Sequence, residues 1–238
     1  NEVIPDSANK PYDIIDVIDS IVDDGEFLEV QPGYAKNIVT GFARMNGSTV
    51  GIVGNQPKYL AGVLDIAASR KAARFVRFCD AFNIPILTLV DVPGYLPGTA
   101  QEYGGIIIHG AKLLYAYAEA TVPKVTIILR KAYGGAYIAM NSKSLGAAKV
   151  LAWPTAVVDV MSAQAAVTIT RRRDIANVPE DGRDEAIAAF AAEHSELTGG
   201  LQRAVDSGIV DEVIDPSATR ASLAALVASA STVPSRKK

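Results

Sequence analysis

The chain has 238 residues, 49% of them hydrophobic and 21% charged, and its 23 Lys+Arg against 26 Asp+Glu give a formal net charge of -3. A chain this long buries roughly three quarters of its unfolded surface as one large domain or two small ones; its composition excludes disorder and fibres, and its charge balance argues against nucleic-acid and membrane-surface partners. The lone Cys79 suits a reducing, cytoplasmic setting, no apolar run of about 18 residues is present, and the opening Asn1-Glu2-Val3-Ile4-Pro5, without initiator Met or signal segment, reads like the middle of something longer.

Apolar residues at helical spacing predict a short helix over Asp13 to Val22, after Pro11. Phe27 to Val30, Asn37 to Arg44 and Ser48 to Val53 read as strands, the last two joined at Met45-Asn46-Gly47, whose Asn-Gly pair signals a hairpin. Asp65 to Phe82 reads as a helix with Ala68, Phe75, Cys79 and Phe82 on one stripe and Arg70, Arg74 and Arg77 opposite. Ile84 to Val90 is a nearly continuous apolar run ended by Asp91-Val92-Pro93-Gly94, which marks a strand buried on both faces. A helix over Tyr103 to Glu119 then leads to a strand over Lys124 to Leu129, and a third helix starting at Gly134 leads to strands near Val150 and Val157. Helices near Ala163 to Ile175, Arg183 to Glu193 and Arg220 to Ala230 follow, with a polar tail over 229-238 that is expected to fray. Strands alternating with helices at this spacing predict an α/β fold with a mostly parallel sheet.

The usual catalytic constellations are missing. His109 and His194 have no metal-ligand partner at a suitable spacing, so no metal site is expected, and no hydrolase elbow, Rossmann fingerprint or P-loop occurs. Two loops stand out instead. Arg130-Lys131-Ala132-Tyr133-Gly134-Gly135-Ala136-Tyr137 follows a buried strand, where two glycines at a strand-to-helix turn either let a ligand approach first-turn N–H donors or serve tight helix packing. Such donors hold a developing oxyanion. Asp91-Val92-Pro93-Gly94-Tyr95-Leu96-Pro97-Gly98 also leaves the C-terminal end of a buried strand, where α/β sheets place ligands, and its bland reading is a stiff connector. His109, in an apolar helix start, reads as a polar group satisfied structurally, and Arg171-Arg172-Arg173 as a solvated helix face.

These two loops, together with Lys71-Ala72-Ala73-Arg74-Phe75-Val76-Arg77, Ala111-Lys112-Leu113-Leu114-Tyr115-Ala116-Tyr117 and Val210-Asp211-Glu212-Val213-Ile214-Asp215-Pro216, resemble the C-terminal half of the carboxyltransferase β subunit of biotin-dependent acyl-CoA carboxylases, of propionyl-CoA and acetyl-CoA carboxylase type. The resemblance implies a crotonase-like (ClpP/crotonase) fold of repeated β-β-α units, with 1-238 forming a single carboxyltransferase C-terminal-type domain. It also implies transfer of CO2 from carboxybiotin, borne by a biotin carboxyl carrier and biotin carboxylase partner, to the α-carbon of a short acyl-CoA. An N-terminal half carrying the acyl-CoA site and a homo-oligomer, often a hexamer, are implied as partners. The family stabilises the ureido oxyanion left by CO2 release through backbone N–H groups that match Gly135 and Ala136 here. By the same resemblance Tyr95, in place of the usual Phe, walls the biotin pocket beside Gly134, Tyr133 and Tyr137, and Ile138 shapes the acyl pocket toward a short alkyl chain. Such chemistry needs no histidine, metal or nucleophile. The family's Met-Gly-x-x-Gly-Ala-Val is Met161-Ser162-Ala163-Gln164-Ala165-Ala166-Val167 here, and its Asn-Pro-Tyr is Gly200-Leu201-Gln202, which questions the packing of the C-terminal third. The alternatives are a decarboxylase of the same family, running the transfer backwards, and a non-catalytic scaffold half.

Overall fold

A computed structural model describes residues 3–5, 7 and 10–230. Helix α1 (Ile14–Ile21) starts where Asp13 accepts a hydrogen bond from the Ile15 N–H, and it buries Ile14, Val17, Ile18 and Ile21 at i, i+3, i+4 and i+7. β1 (Phe27–Glu29), β2 (Ile38–Met45) and β3 (Ser48–Asn55) form an antiparallel meander. Met45 pairs with Ser48, so the hairpin turn is the two residues Asn46 and Gly47, both with positive φ (49° and 77°). That geometry favours Asn-Gly, and the Asp23 carboxylate accepts from both turn N–H groups at 3.0 and 2.7 Å.

Helix α2 (Ile66–Ala81), capped by Asp65, buries Ala68, Phe75 and Cys79 and exposes Arg70, Arg74 and Arg77 as the periodicity predicts. Phe82 departs from the expected stripe: it lies past the last turn, exposed, with its ring centroid 4.5 Å from that of Phe78. β4 (Ile86–Val92) is buried along its whole length. The single helix expected over Tyr103 to Glu119 is two, α3 (Thr99–Gly104) and α4 (Ile106–Glu119), because Gly105 takes a left-handed φ of 86° between them. β5 (Lys124–Tyr133) runs past the expected Leu129, and α5 (Gly134–Ala139), β6 (Lys149–Ala152) and β7 (Val157–Asp159) follow.

The C-terminal third is helical. The expected helix over Ala163 to Ile175 breaks at Arg171 into α6 (Ala163–Thr170) and α7 (Arg172–Ala176). α8 (Arg183–Thr198) ends at Gly199 and α9 (Gly200–Asp206), which the sequence pattern misses, begins beside it, both glycines having positive φ. β8 (Glu212–Val213) and α10 (Thr219–Ala230) complete the fold. Most of the tail expected to fray, 231–238, lies outside the described residues.

The sheet order is β1-β2-β3-β4-β5-β6-β8, with β7 paired to β5, and from β3 onward every pairing is parallel. The fold is the expected α/β class, and β2-β3-α2 and β6-β7-α6 follow the β-β-α pattern. One face of the sheet packs Val53, Ile128 and Val150 against α2 and α4, and the other packs Ile52, Ile127 and Leu151 against α1, Trp153 and Leu223. Adjacent residues of one strand thus enter opposite cores, which explains the unbroken apolar runs.

Candidate functional site

β4 and β5 lie side by side and parallel, so the two loops picked out from the sequence leave the same end of the sheet. Between the pairs Val90 with Ile128 and Val92 with Ala132, one residue of β4 faces three of β5. The bulge bends β5, so that its first half pairs with β6 and its last three residues, Lys131 to Tyr133, pair with β7. Its polar groups are satisfied by side chains: Thr155 Oγ1 donates to the Leu129 carbonyl at 2.8 Å, and the Lys131 N–H donates to Asp91 Oδ1 at 3.1 Å.

At the end of β5, Gly134 adopts φ +57°, and a Cβ there would lie 2.8 Å from the Val160 carbonyl oxygen. Glycine is required both by conformation and by space. Gly135 is exposed, and a Cβ on it would meet nothing within 4 Å, so the outer side of the turn is open. The N–H groups of Gly135 and Ala136 precede the first intrahelical bond of α5, and no other protein acceptor takes them among the described residues. The turn therefore has two adjacent N–H donors that no protein acceptor takes among the described residues, with open space at Gly135 and with Ala136 itself buried. Ile138 stands on the same short helix, 44% exposed.

The aromatic candidates separate. Tyr133 is half-buried, and burial, then the negative charges of Asp159 and Asp91, push its pKa up. Tyr137 is a core side chain whose hydroxyl has no partner, pushed up to about 12 by burial and by Asp211. Tyr95 is held by a backbone bridge, with Leu64 N–H donating to the Gly94 carbonyl and Leu96 N–H to the Leu64 carbonyl. Its ring lies across Gly110 of α4, where a Cβ would come within 2.9 Å of the hydroxyl. The hydroxyl has no hydrogen-bond partner, and burial moves it up to about 12.

Other expectations shift. His109 is half-buried, but its Nδ1 is out of water with no hydrogen-bond partner, so it is not the satisfied structural group expected. The charged neighbours that reach it are cations: burial first, then Lys112 and Arg70, lower its pKa. Arg171 is engaged by Glu193 at 2.9 Å and lies over the Phe190 ring at 4.9 Å. The Cys79 thiol is buried, and burial moves it up to about 12, away from the thiolate form that reacts. No group of three or more His, Cys, Asp or Glu is placed to hold a metal among the described residues, and no described helix is long and apolar enough to cross a membrane.

The altered C-terminal motif is accommodated without crowding. Ser162 caps α6, its hydroxyl accepting the Ala165 N–H at 3.2 Å, and Ala165 is exposed.

Sequence reasoning missed the buried ion pair behind the two loops. Arg130 Nε donates to Asp91 Oδ2 at 2.9 Å, with the side chains 4% and 1% exposed. The available signal was a charged residue directly after each of two apolar runs, Asp91 after Ile84 to Val90 and Arg130 after Val125 to Leu129. It also missed Lys124, whose ammonium donates to the carbonyls of Tyr117, Ala120 and Leu145 and so closes the C-terminal end of α4.

The carboxyl transferase domain model matches residues 1–237. The chain is 57% identical over 95% of its length to the propionyl-CoA carboxylase beta chain of Roseobacter denitrificans and 56% identical over 92% to the methylmalonyl-CoA decarboxylase subunit alpha of Propionigenium modestum. It spans 43% and 42% of those two proteins. Among solved structures it resembles transcarboxylase 12S, described as a hexamer with methylmalonyl-coenzyme A bound, at a TM-score of 0.90 and 51% identity, covering 100% of this chain and 45% of that one. With the model matched along nearly the whole chain, over a sheet that delivers the glycine turn intact, this chain belongs to the carboxyl transferase domain family.

Proposed function

We propose that this chain, over 1–238, is a single carboxyltransferase unit that moves a carboxyl group between biotin on a carrier partner and the α-carbon of a short acyl-CoA, working with a second half that holds the acyl-CoA. The observation that carries the reading is the pair of N–H donors at Gly135 and Ala136 that no protein acceptor takes among the described residues, with open space at Gly135. Biotin fits this place: its ureido oxygen needs hydrogen-bond donors rather than a base, and the turn offers donors while Gly135 leaves room. When bound as carboxybiotin, that group supplies the transferable carboxyl.

The residues of the chain then have distinct tasks. Gly134 sets the backbone direction, and Gly135 and Ala136 hold the oxyanion through N–H groups reinforced by the first turn of α5. Tyr95 and Tyr133 form aromatic flanks from the two neighbouring loops, Tyr137 anchors α5 in the core, and Ile138 gives an apolar surface suited to an alkyl chain. Positioning and electrostatics supply the rate, without a nucleophile. The relatives' lengths and the hexameric transcarboxylase support a homo-oligomer assembled with the remaining half. The uncrowded Ser162 and Ala165 favour a working site over a scaffold.

The test assembles the chain with a matching acyl-CoA-binding half and follows malonyl- or methylmalonyl-CoA consumption with free biotin. Biotin-dependent consumption is expected, and it is expected to be abolished by Gly135→Pro, which removes one donor, with acyl-CoA binding kept. No turnover from two folded halves, or unchanged turnover in the variant, would defeat the reading.

A further inference from the structure

A buried ion pair is costly to desolvate, and by itself it is weak evidence of stabilisation. The Asp91 and Arg130 pair is placed where geometry, rather than stability, has most to gain. Asp91 is the one residue of β4 that faces the bulge in β5, and Arg130 is the middle residue of the bulge. One carboxylate oxygen of Asp91 accepts the Lys131 N–H at 3.1 Å, and the other accepts Arg130 Nε at 2.9 Å. The Asp91 N–H is itself oriented toward Asn55 Oδ1, at 3.3 Å, at the end of β3. On its far side the guanidinium donates through Nη1 to the carbonyls of Ser7 and Lys10, at 2.9 and 3.0 Å, and lies 4.7 Å from the centre of the Tyr12 ring. Only Lys131, Ala132 and Tyr133 separate this cluster from Gly134, and all three are fixed in register against β7.

From this arrangement we infer that Asp91 and Arg130 are positioning residues for the transfer reaction. They lock the bulge of β5, and through three residues of rigid strand they fix where the Gly135 and Ala136 N–H groups point. They also tie that turn to Ser7, Lys10 and Tyr12. The inference rests on the proposed transfer function, because it concerns the aim of donors that matter only there.

The experiment uses the assembled transferase with Asp91→Asn, which keeps an acceptor for the Lys131 N–H but loses the charge, and with Arg130→Lys and Arg130→Gln. A small misplacement of reacting groups costs rate more than binding, so kcat is expected to fall about tenfold or more with the KM for acyl-CoA held within about twofold. Arg130→Lys is expected to keep more kcat than Arg130→Gln. Amide exchange over Tyr137 to Met140 is expected to quicken in all three. Folded variants whose kcat stays within about twofold of the parent, or whose KM rises in step with the loss of kcat, overturn the inference. Should Asp91→Asn fail to fold, the two Arg130 variants decide by the same criteria. If the parent assembly itself shows no transfer, the functional reading and the role in transfer have failed together, and amide exchange then reads only the link from the ion pair to the turn, which unchanged exchange overturns as well.

Discussion

All seven residues of β4 are buried, whereas across the four helices α6 to α9 only Val167, Ala191 and Ala204 are. Ile169 and Leu197 in that helical region are 66% and 77% exposed. The sheet is thus held by packing of buried side chains on both faces, and the helical extension by helix caps and by exposed contacts between helices such as the pair of Arg171 with Glu193. A substitution in the first region tests the tertiary structure, and one in the second tests local helix physics.

The largest contrast comes from Arg130→Leu. It leaves the Asp91 carboxylate buried without its partner and is expected to cost about 3–5 kcal/mol, read as a drop in denaturant midpoint at unchanged slope. The glycine turn gives the next. Gly134→Ala places a Cβ 2.8 Å from the Val160 carbonyl at φ +57°, with an expected loss of about 1–3 kcal/mol. At Gly135 the space is open, so Gly135→Ala is expected to leave the melting temperature nearly unchanged; equal losses at the two positions would mean that the turn is not shaped as described. In the helical extension Ser162→Ala removes the α6 cap and is expected to cost about 1 kcal/mol, less than either change at the sheet. A larger loss there would erase the contrast between the two regions.

Where local physics dominates, the sequence was legible. Asn46-Gly47 declared the hairpin, Asp13 and Asp65 stood at the helix starts they cap, and the apolar run before Asp91 announced a strand buried on both faces. The two candidate loops stood out for a similar reason, as Pro-Gly and Gly-Gly pairs directly after buried strands, whereas the oxyanion reading of the glycine turn came from the family resemblance, because glycine's conformational freedom leaves the dipeptide itself open. The break at Gly105, the separate α9 and the exposed Phe82 were not, because periodicity continues across a left-handed glycine and cannot tell whether a neighbour covers a given face.

The sequence by itself determined the α/β class, that each of the two loops follows a buried strand, and the residues that form the glycine turn. Tertiary structure alone decided that Tyr137 belongs to the core while Tyr133 is half-buried, that Ser162 caps α6 while Ala165 is exposed, and that Asp91 meets Arg130 across 39 residues of chain. The physical reason is common to all three. Burial and charge pairing depend on which strands and helices become neighbours, and that information lies in the packing of the whole chain rather than in any window of it.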